Sequence, residues 1–252
     1  MQSGFAGRHA LVSGGSRGIG RAVASALTAA GATVTIMGRG EAALKSAVEA
    51  GAAAHYVAAD ATDGPACRAA IAAAERRGPI DILVANAGGA ESAPFAGSDE
   101  QIFRRMLDLN LMSVVHTAQA VIDGMVARGF GRIVAVASLA GLKGYAYVSA
   151  YCAAKHAAVG LVRALAAEYA GTGVTVNAVC PGYTDTDLVR ESLDRIVKKT
   201  GRDRAAALKA MLAPDAQERL IPPAEVAQAV LDLCTPAAGA VTGEARPLYG
   251  RA

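Results

Sequence analysis

Tryptophan is absent from the 252 residues, and phenylalanine occurs only four times. That scarcity argues against an aromatic-rich β-sandwich, whereas abundant alanine and 28 glycines suit close packing of helices on a sheet. Cysteine is sparse as well. Cys67, Cys152, Cys180 and Cys234 lie far apart, with no CxxC and no Cys/His ligand spacing. Buried reduced thiols are therefore expected, not a disulfide framework or a zinc site. No apolar run reaches the length of a membrane span, and the opening MQSGFAGRHALVSGG lacks a secretory h-region with a cleavage site. These features lead us to expect a soluble, cytoplasmic protein without a metal.

Long blocks of one charge are lacking too. The formal net charge is +3, and residues 188–219 hold eight Lys/Arg against five Asp/Glu, which leaves the remainder balanced at seventeen each. Aromatic residues do not alternate with basic ones, so nucleic acid is not an expected partner. Hydrophobic residues make up 53%, leaving little composition for disordered tails.

What is present is a regular alternation. The run HALVS (9–13) leads into a glycine-rich turn, a helical stretch that Gly31 would close, and the β-branched run 33–37. This is a βαβ unit. Helical spacing then alternates with short apolar runs: helix 41–50, strand 55–59, helix 64–77, strand 80–85, an interrupted helical stretch 98–128, strand 131–137, a helix from the tyrosine segment to about 170, strand 174–179, a polar and partly helical segment 184–220, helix 223–233, and a last strand in GAVTG (239–243). The order predicts an α/β fold: a single-domain, Rossmann-type, doubly wound parallel sheet with helices on both faces. Residues 1–252 read as one dinucleotide-binding and catalytic domain, with a substrate-binding lid at 184–220.

Two patterns carry chemistry. Gly14, Gly18 and Gly20 follow the first strand directly and open a helix. Such a turn lets the backbone approach a diphosphate, and the helix N-terminus offers free N–H groups. Further on, Tyr151 and Lys155 stand four residues apart in a helical segment and so share a face. An ammonium close to a phenol favours the phenolate, so Lys155 is expected to lower the Tyr151 pKa from about 10 and fit it for acid–base work. Taken alone the pair is also an ordinary surface motif. Tyr145 and Tyr147 compete with Tyr151, but neither has a lysine three or four residues downstream. Ser149 lacks the strand-end placement of Ser138.

The chain resembles the short-chain dehydrogenases/reductases of ordinary length, most of all 3-oxoacyl/3-hydroxyacyl thioester reductases. The resemblance rests on SGGSRGIG (13–20), NAG (86–88), Asn110 within LDLNL, Ser138, Tyr151-Cys-Ala-Ala-Lys155 and PGYTDT (181–186), in family order and spacing. It implies that Tyr151 exchanges a proton with the carbonyl or alcohol oxygen and that Ser138 holds that oxygen. Lys155 would tune the tyrosine and bind the nicotinamide ribose, and Asn110 would position the lysine through a water. It also implies cofactor contacts at Gly14, Ser16, Arg17, Gly18, Ile19, Gly20, Arg39, Asp60, Ala61, Asn86, Ala87, Gly88, Tyr151, Lys155, Pro181, Gly182, Thr184 and Thr186. After VTIM comes Gly38-Arg39, with no acid for the ribose hydroxyls. Arg17 and Arg39 read either as solvated side chains or as partners of a 2′-phosphate, so NADP(H) is favoured and NAD(H) stays open. Two departures are notable: Ser13 replaces the common threonine, and VTGEARPLYG lacks the glycine pair often found near the family's end, which bears on an expected homo-tetramer (or dimer).

Substrate choice is expected from residues 89–97, 139–148 and 184–220. The last segment carries Arg190, Arg195, Lys198, Lys199, Arg202 and Arg204, read either as a basic lid for an anionic acyl-CoA or as solvated helix faces. Three function classes follow. The favoured one is an NAD(P)(H)-dependent oxidoreductase of a secondary alcohol or 3-oxo compound, with an acyl thioester as best substrate and a small non-CoA cyclic or aromatic ketone as the alternative. A non-catalytic cofactor-binding regulator and a sugar-nucleotide epimerase or dehydratase are the other two.

Overall fold

Every strand that flanks the centre of the sheet is buried along its whole length, and this accounts for the continuous apolar runs. The computed structural model describes residues 4–251. Strands β1 (His9–Ser13), β2 (Thr33–Gly38), β3 (His55–Ala58), β4 (Ile82–Ala85), β5 (Gly131–Val136), β6 (Val174–Pro181) and β7 (Ala245–Leu248) form one sheet in the order β3-β2-β1-β4-β5-β6-β7. All neighbouring pairs are parallel.

Alternate residues of each strand feed two cores. Ala10, Val12, Val34, Ile36 and Val84 face α1 (Gly18–Ala29), α2 (Glu41–Glu49) and α9 (Pro223–Cys234). Leu11, Met37, Leu83, Ile133 and Ala178 face α3 (Gly64–Glu75), α5 (Ser113–Ala127) and α6 (Ser149–Glu168). A sheet covered on both faces has no solvent side, so apolar residues need not alternate with polar ones. The result is the expected single doubly wound domain.

Strand order reverses between β1 and β4, and the carboxyl ends of these strands open a crevice where such sheets bind ligands. Two helices are capped by the acids that precede them: Asp63 accepts from Ala66 N at 3.0 Å at the start of α3, and Asp99 from Ile102 N at 2.9 Å at the start of α4 (Glu100–Leu107). Helix α1, which points at the crevice, has Arg17 as N-cap, no side-chain cap and no acid in its first turn. Its N–H groups are thus left for a ligand.

One sequence expectation gains its detail and another changes. The stretch 98–128 is α4, a π-helical turn at Asp108–Met112, and α5. The last strand is Ala245–Leu248 and not GAVTG, because Pro236–Ala240 forms a 3-10 turn and Val241 to Gly243 connect it onward. Segment 184–220 folds as α7 (Asp187–Thr200), α8 (Arg204–Leu212) and a short 3-10 turn, with its own small core around Leu193, Ala207 and Met211. Its ends are clipped together: Thr184 bridges Ile221, Asp185 N donates to Ile221 O at 2.9 Å, and Ile221 N donates to Tyr183 O at 2.9 Å.

Candidate active site

Four strand ends build the floor of the site. Past β1, Gly14 takes φ +64°, and a Cβ there would lie 2.8 Å from Asn86 Nδ2, so the turn requires glycine. Ser13 latches β1 to β4: its Oγ accepts from Asn86 N and Ala87 N, both at 3.0 Å. Asn86 Nδ2 in turn donates to the carbonyls of Ser13 (3.0 Å) and Gly14 (3.2 Å). The Ser13 hydroxyl therefore does what the common threonine hydroxyl could do.

Around this floor runs a cleft of about 550 Å³. Of the residues expected to touch a cofactor, Gly14, Ser16, Arg17, Gly18, Ile19, Arg39, Asp60, Ala61, Asn86, Ala87, Gly88, Tyr151, Lys155, Pro181, Gly182, Thr184 and Thr186 all line it. Gly20 does not: it is buried beneath the turn, packed against the Gly14 carbonyl. Asp60 accepts from Thr62 N (2.9 Å) and Thr62 Oγ1 (2.8 Å) and lies 3.9 Å from Arg39. Burial opposes its charge, but the Thr62 bonds and Arg39 outweigh that and hold its carboxyl below the usual range. Thr62 was not anticipated, although Asp-x-Thr is a side-chain turn signal. Across the opening, the Thr186 methyl group approaches Gly18 at the start of α1.

Ser138 follows β5, and Tyr151 and Lys155 project from one face of α6. Lys155 is only 5% exposed; its Nζ donates to Val136 O at 2.9 Å and sits 5.8 Å from the Tyr151 ring centre. Burial brings the ammonium down to about 8. The expected direction for Tyr151 is reversed. Burial pushes the phenol up to about 12, while a hydrogen bond with the Ser138 side chain pulls the other way. Taking a phenolate out of water costs more than its neighbours return, and the lysine, itself disfavoured as a cation, is turned toward Val136.

Asn110 lies in the π-helical turn, fully buried. Its Nδ2 donates to Gly89 O (2.9 Å) and Met106 O (3.0 Å), and its Oδ1 accepts from Gly89 N (3.2 Å). The side chain is thus committed to backbone, pinning the loop that follows β4. It still borders the lysine: a Cβ at Gly88 would stand 2.9 Å from Asn110 Oδ1 and 3.5 Å from Lys155 Nζ.

A second cavity, of about 460 Å³, opens from the same place. Ser138, Tyr151, Gly182, Leu188 and Val189 border both spaces. Its wall draws on all three segments expected to choose substrate: Ala90 to Ser92; Leu139, Ala140, Tyr145 and Val148; and α7 with Met211 and Asp215. Arg195 and Lys199 line it, while Lys198 and Arg202 do not. Arg190 is paired with Asp185 (3.0 Å) and Asp187 (3.2 Å), and Arg204 with Asp194. Tyr147, a rival for the acid–base role, is 68% exposed with φ +66°. Tyr145 donates to Asp215. Gln217 was not anticipated: it accepts from Tyr183 N (2.9 Å) and donates to Tyr183 O (3.3 Å) and Arg219 O (3.2 Å), tying the loop after β6 to the end of the helical hairpin.

Among the described residues no three His, Cys, Asp or Glu side chains gather as a metal would require, and no helix is long and apolar enough to cross a membrane. Comparison with known proteins identifies the family. Residues 8–196 match the family described as short chain dehydrogenase. A putative ketoacyl reductase of Streptomyces coelicolor is 37% identical over 251 residues, 96% of this chain and 95% of that one. An acetoacetyl-CoA reductase of Shinella zoogloeoides is 37% identical over 239 residues, 94% of each chain. The crystal structure of a variant of actinorhodin polyketide ketoreductase with NADPH superposes with a TM-score of 0.90 at 34% identity, covering 99% of this chain and 98% of the other. The protein belongs to the short chain dehydrogenase family of NAD(P)-dependent oxidoreductases that act on alcohol and keto groups.

Proposed function

We propose that the chain is an NADP(H)-dependent ketoreductase whose substrate is a 3-oxoacyl thioester. The observation that carries the reading is the shared border of the two cavities. Ser138 and Tyr151 face both a dinucleotide-shaped cleft and a cavity large enough for an acyl group. The cleft fits its cofactor by construction: the start of α1 offers uncapped N–H groups, and Gly14 lets the backbone come close. A dinucleotide bound there supplies the hydride.

Everything else falls to the chain's own residues. The Ser138 hydroxyl orients the reacting oxygen and donates to it as negative charge develops. Tyr151, kept protonated by burial, delivers its proton to the same oxygen during reduction. Lys155 adds positive charge next to this transfer and is placed to bind the ribose hydroxyls. Asn110, through its hold on Gly89, keeps the loop after β4 against the lysine, and a proton path to solvent would run on that side. Arg39 and Arg17 would receive the 2′-phosphate that distinguishes NADP(H). The clipped hairpin 184–220 serves as the lid over the acyl group. A cytoplasmic homo-tetramer belongs to the same reading, and light scattering in solution tests the assembly.

The decisive experiment follows nicotinamide absorbance with NADPH and NADH over acetoacetyl-CoA, longer 3-oxoacyl-CoAs, and cyclic and aromatic ketones. NADPH-dependent turnover greatest with the thioesters supports the reading. Turnover confined to cyclic ketones would replace the substrate, and no turnover of any carbonyl compound would revive a binding role.

A further inference from the structure

The wall of the substrate cavity carries a polar pair that the chemistry at Tyr151 does not use. Tyr145 Oη donates to Asp215 Oδ1 at 2.5 Å. Lys143 Nζ holds the same oxygen at 2.7 Å and the Pro214 carbonyl also at 2.7 Å. Asp215 is 7% exposed, and its other oxygen, Oδ2, is buried with no hydrogen-bond partner among the described residues. Both Tyr145 and Asp215 border the cavity, and neither borders the dinucleotide cleft.

Donor counting decides what this pair can bind. Tyr145 has one hydroxyl proton, and it is spent on Oδ1, so its oxygen has only lone pairs left to offer. The Lys143 ammonium is engaged with Asp215 and Pro214 on the solvent-facing side, where its side chain is 44% exposed. The pair therefore presents acceptors and no spare donor of its own. A bare buried acceptor is destabilising, and buried polar groups in native folds usually have a partner. Here the unmatched oxygen stands behind a half-buried tyrosine at the edge of a substrate-sized space.

We propose that Tyr145 and Asp215 form an acceptor site that selects substrates carrying a hydroxyl or amide N–H, away from the carbonyl that Tyr151 serves. Tyr145 Oη meets the donor; Asp215 takes the phenol proton on Oδ1, with Oδ2 closed off behind the ring, and so leaves Oη its lone pairs to offer. The inference rests on the reductase reading for the purpose of the cavity. The donor has two sources: the amide-bearing thiol arm of a thioester, or a hydroxyl on the acyl chain. Such a site disfavours an analogue without the donor, because the Tyr145 oxygen, covered by ligand, then stays unpaired.

The test compares three 3-oxo thioesters: S-butyl 3-oxobutanethioate, which has no donor; S-acetoacetyl-N-acetylcysteamine, with an amide on the thiol arm; and S-butyl 6-hydroxy-3-oxohexanethioate, with a hydroxyl on the acyl arm. Their dissociation constants are measured calorimetrically on the Tyr151→Phe protein, so that binding is read apart from turnover. At least one donor-bearing compound should bind about tenfold tighter than the donor-free one, and the tighter one identifies the source. That advantage should fall below about threefold when Tyr145→Phe or Asp215→Leu is added. Tyr145→Phe keeps the ring and covers the case in which Asp215→Leu does not fold. Equal affinities in the Tyr151→Phe protein, or an advantage that survives both added substitutions, overturn the proposal. Turnover of the same compounds by the wild type with NADPH is scored separately: failure there removes the reductase reading, while the affinity ratio still decides the acceptor site.

Discussion

The ammonium of Lys155 stands 5.8 Å from the centre of the Tyr151 ring, and burial moves the two groups in opposite directions, the lysine down to about 8 and the tyrosine up to about 12. Tyr151 therefore keeps its proton throughout the neutral range, and the group that titrates nearby is the lysine. For ketone reduction, kcat/KM is expected to fall as pH rises through about 8, where Lys155 loses its charge. A guanidinium stays charged over that range, so Lys155→Arg, though slower, should move the falling limb to higher pH. A pH–rate profile that is flat from 7 to 10, or a limb unmoved in the variant, would show that another group controls the reaction.

The same shift has a consequence for stability. The folded pKa of Lys155 is about 8 against 10.5 for an ordinary lysine, so the fold disfavours the ammonium. Below pH 8 both folded and unfolded chains carry the proton and the full penalty applies, about 3 kcal/mol at 1.36 kcal/mol per unit. Between 8 and 10.5 only the unfolded chain holds it, the penalty fades, and above 10.5 it is gone. Lys155→Met removes this cost together with the bond to Val136 O, worth about 1 kcal/mol. Chemical denaturation should find the variant more stable at pH 7, with an advantage that shrinks toward pH 10. A variant less stable at pH 7 would refute the sign.

Gly88 separates Asn110 from Lys155. A methyl group there would press on Asn110 Oδ1 at 2.9 Å, and that amide cannot retreat without breaking its bonds to Gly89 and Met106. Gly88→Ala should therefore displace the lysine side of the site and lower kcat by about 10- to 100-fold, since small misplacements at a reacting centre are costly. Circular dichroism should show the fold retained. Unaltered kcat would mean that the spacing between Asn110 and Lys155 does not matter.

Arg39 follows β2, lines the dinucleotide cleft and lies 3.9 Å from Asp60. If it receives the 2′-phosphate, Arg39→Ala should lower the NADPH/NADH ratio of kcat/KM by about tenfold or more, the value of one charge-assisted hydrogen bond. Arg39→Asp should lower it further, because an acid at this place suits the free ribose hydroxyls. The ratio is read from steady-state kinetics with both cofactors. If it is unchanged in both variants, Arg39 is a solvated side chain.

The order of strands and helices was legible because a parallel sheet covered on both faces writes each strand as an unbroken apolar run. The edge escaped that logic. Strand β7 reads Ala-Arg-Pro-Leu, has one neighbour and includes a proline that only an edge tolerates, so GAVTG looked the better strand. Among the site residues, the glycine turn and the Tyr151/Lys155 pair were readable from local spacing, whereas Asn86, Asn110, Ser138 and Thr186 entered through the family resemblance. The raised tyrosine pKa was not, because i,i+4 spacing reports proximity while burial belongs to the whole fold. Tyr145 and Asp215 meet across 70 positions, and Gln217 meets Tyr183 across 34, through a hairpin whose return point no local pattern announces.

That hairpin also narrows where an anionic substrate would be met. Of its cations, Arg190 and Arg204 are paired with acids of the same segment, while Arg195 and Lys199 border the cavity one helical turn apart. An acyl-CoA entering with its thioester toward Tyr151 would leave its phosphates outside, where these two side chains can reach them. Arg195→Ala/Lys199→Ala should then raise KM for acetoacetyl-CoA by about tenfold, each exposed cation contributing up to about 1 kcal/mol. The effect should weaken as salt is added, because exposed charges are screened. KM for S-acetoacetyl-N-acetylcysteamine, which has no phosphate, should change less than about twofold. A Lys198→Ala/Arg202→Ala control, outside the cavity wall, should leave the CoA to N-acetylcysteamine ratio near that of the wild type. Equal losses for both substrates in the first pair would mean that Arg195 and Lys199 shape the cavity and do not read the charge of its ligand.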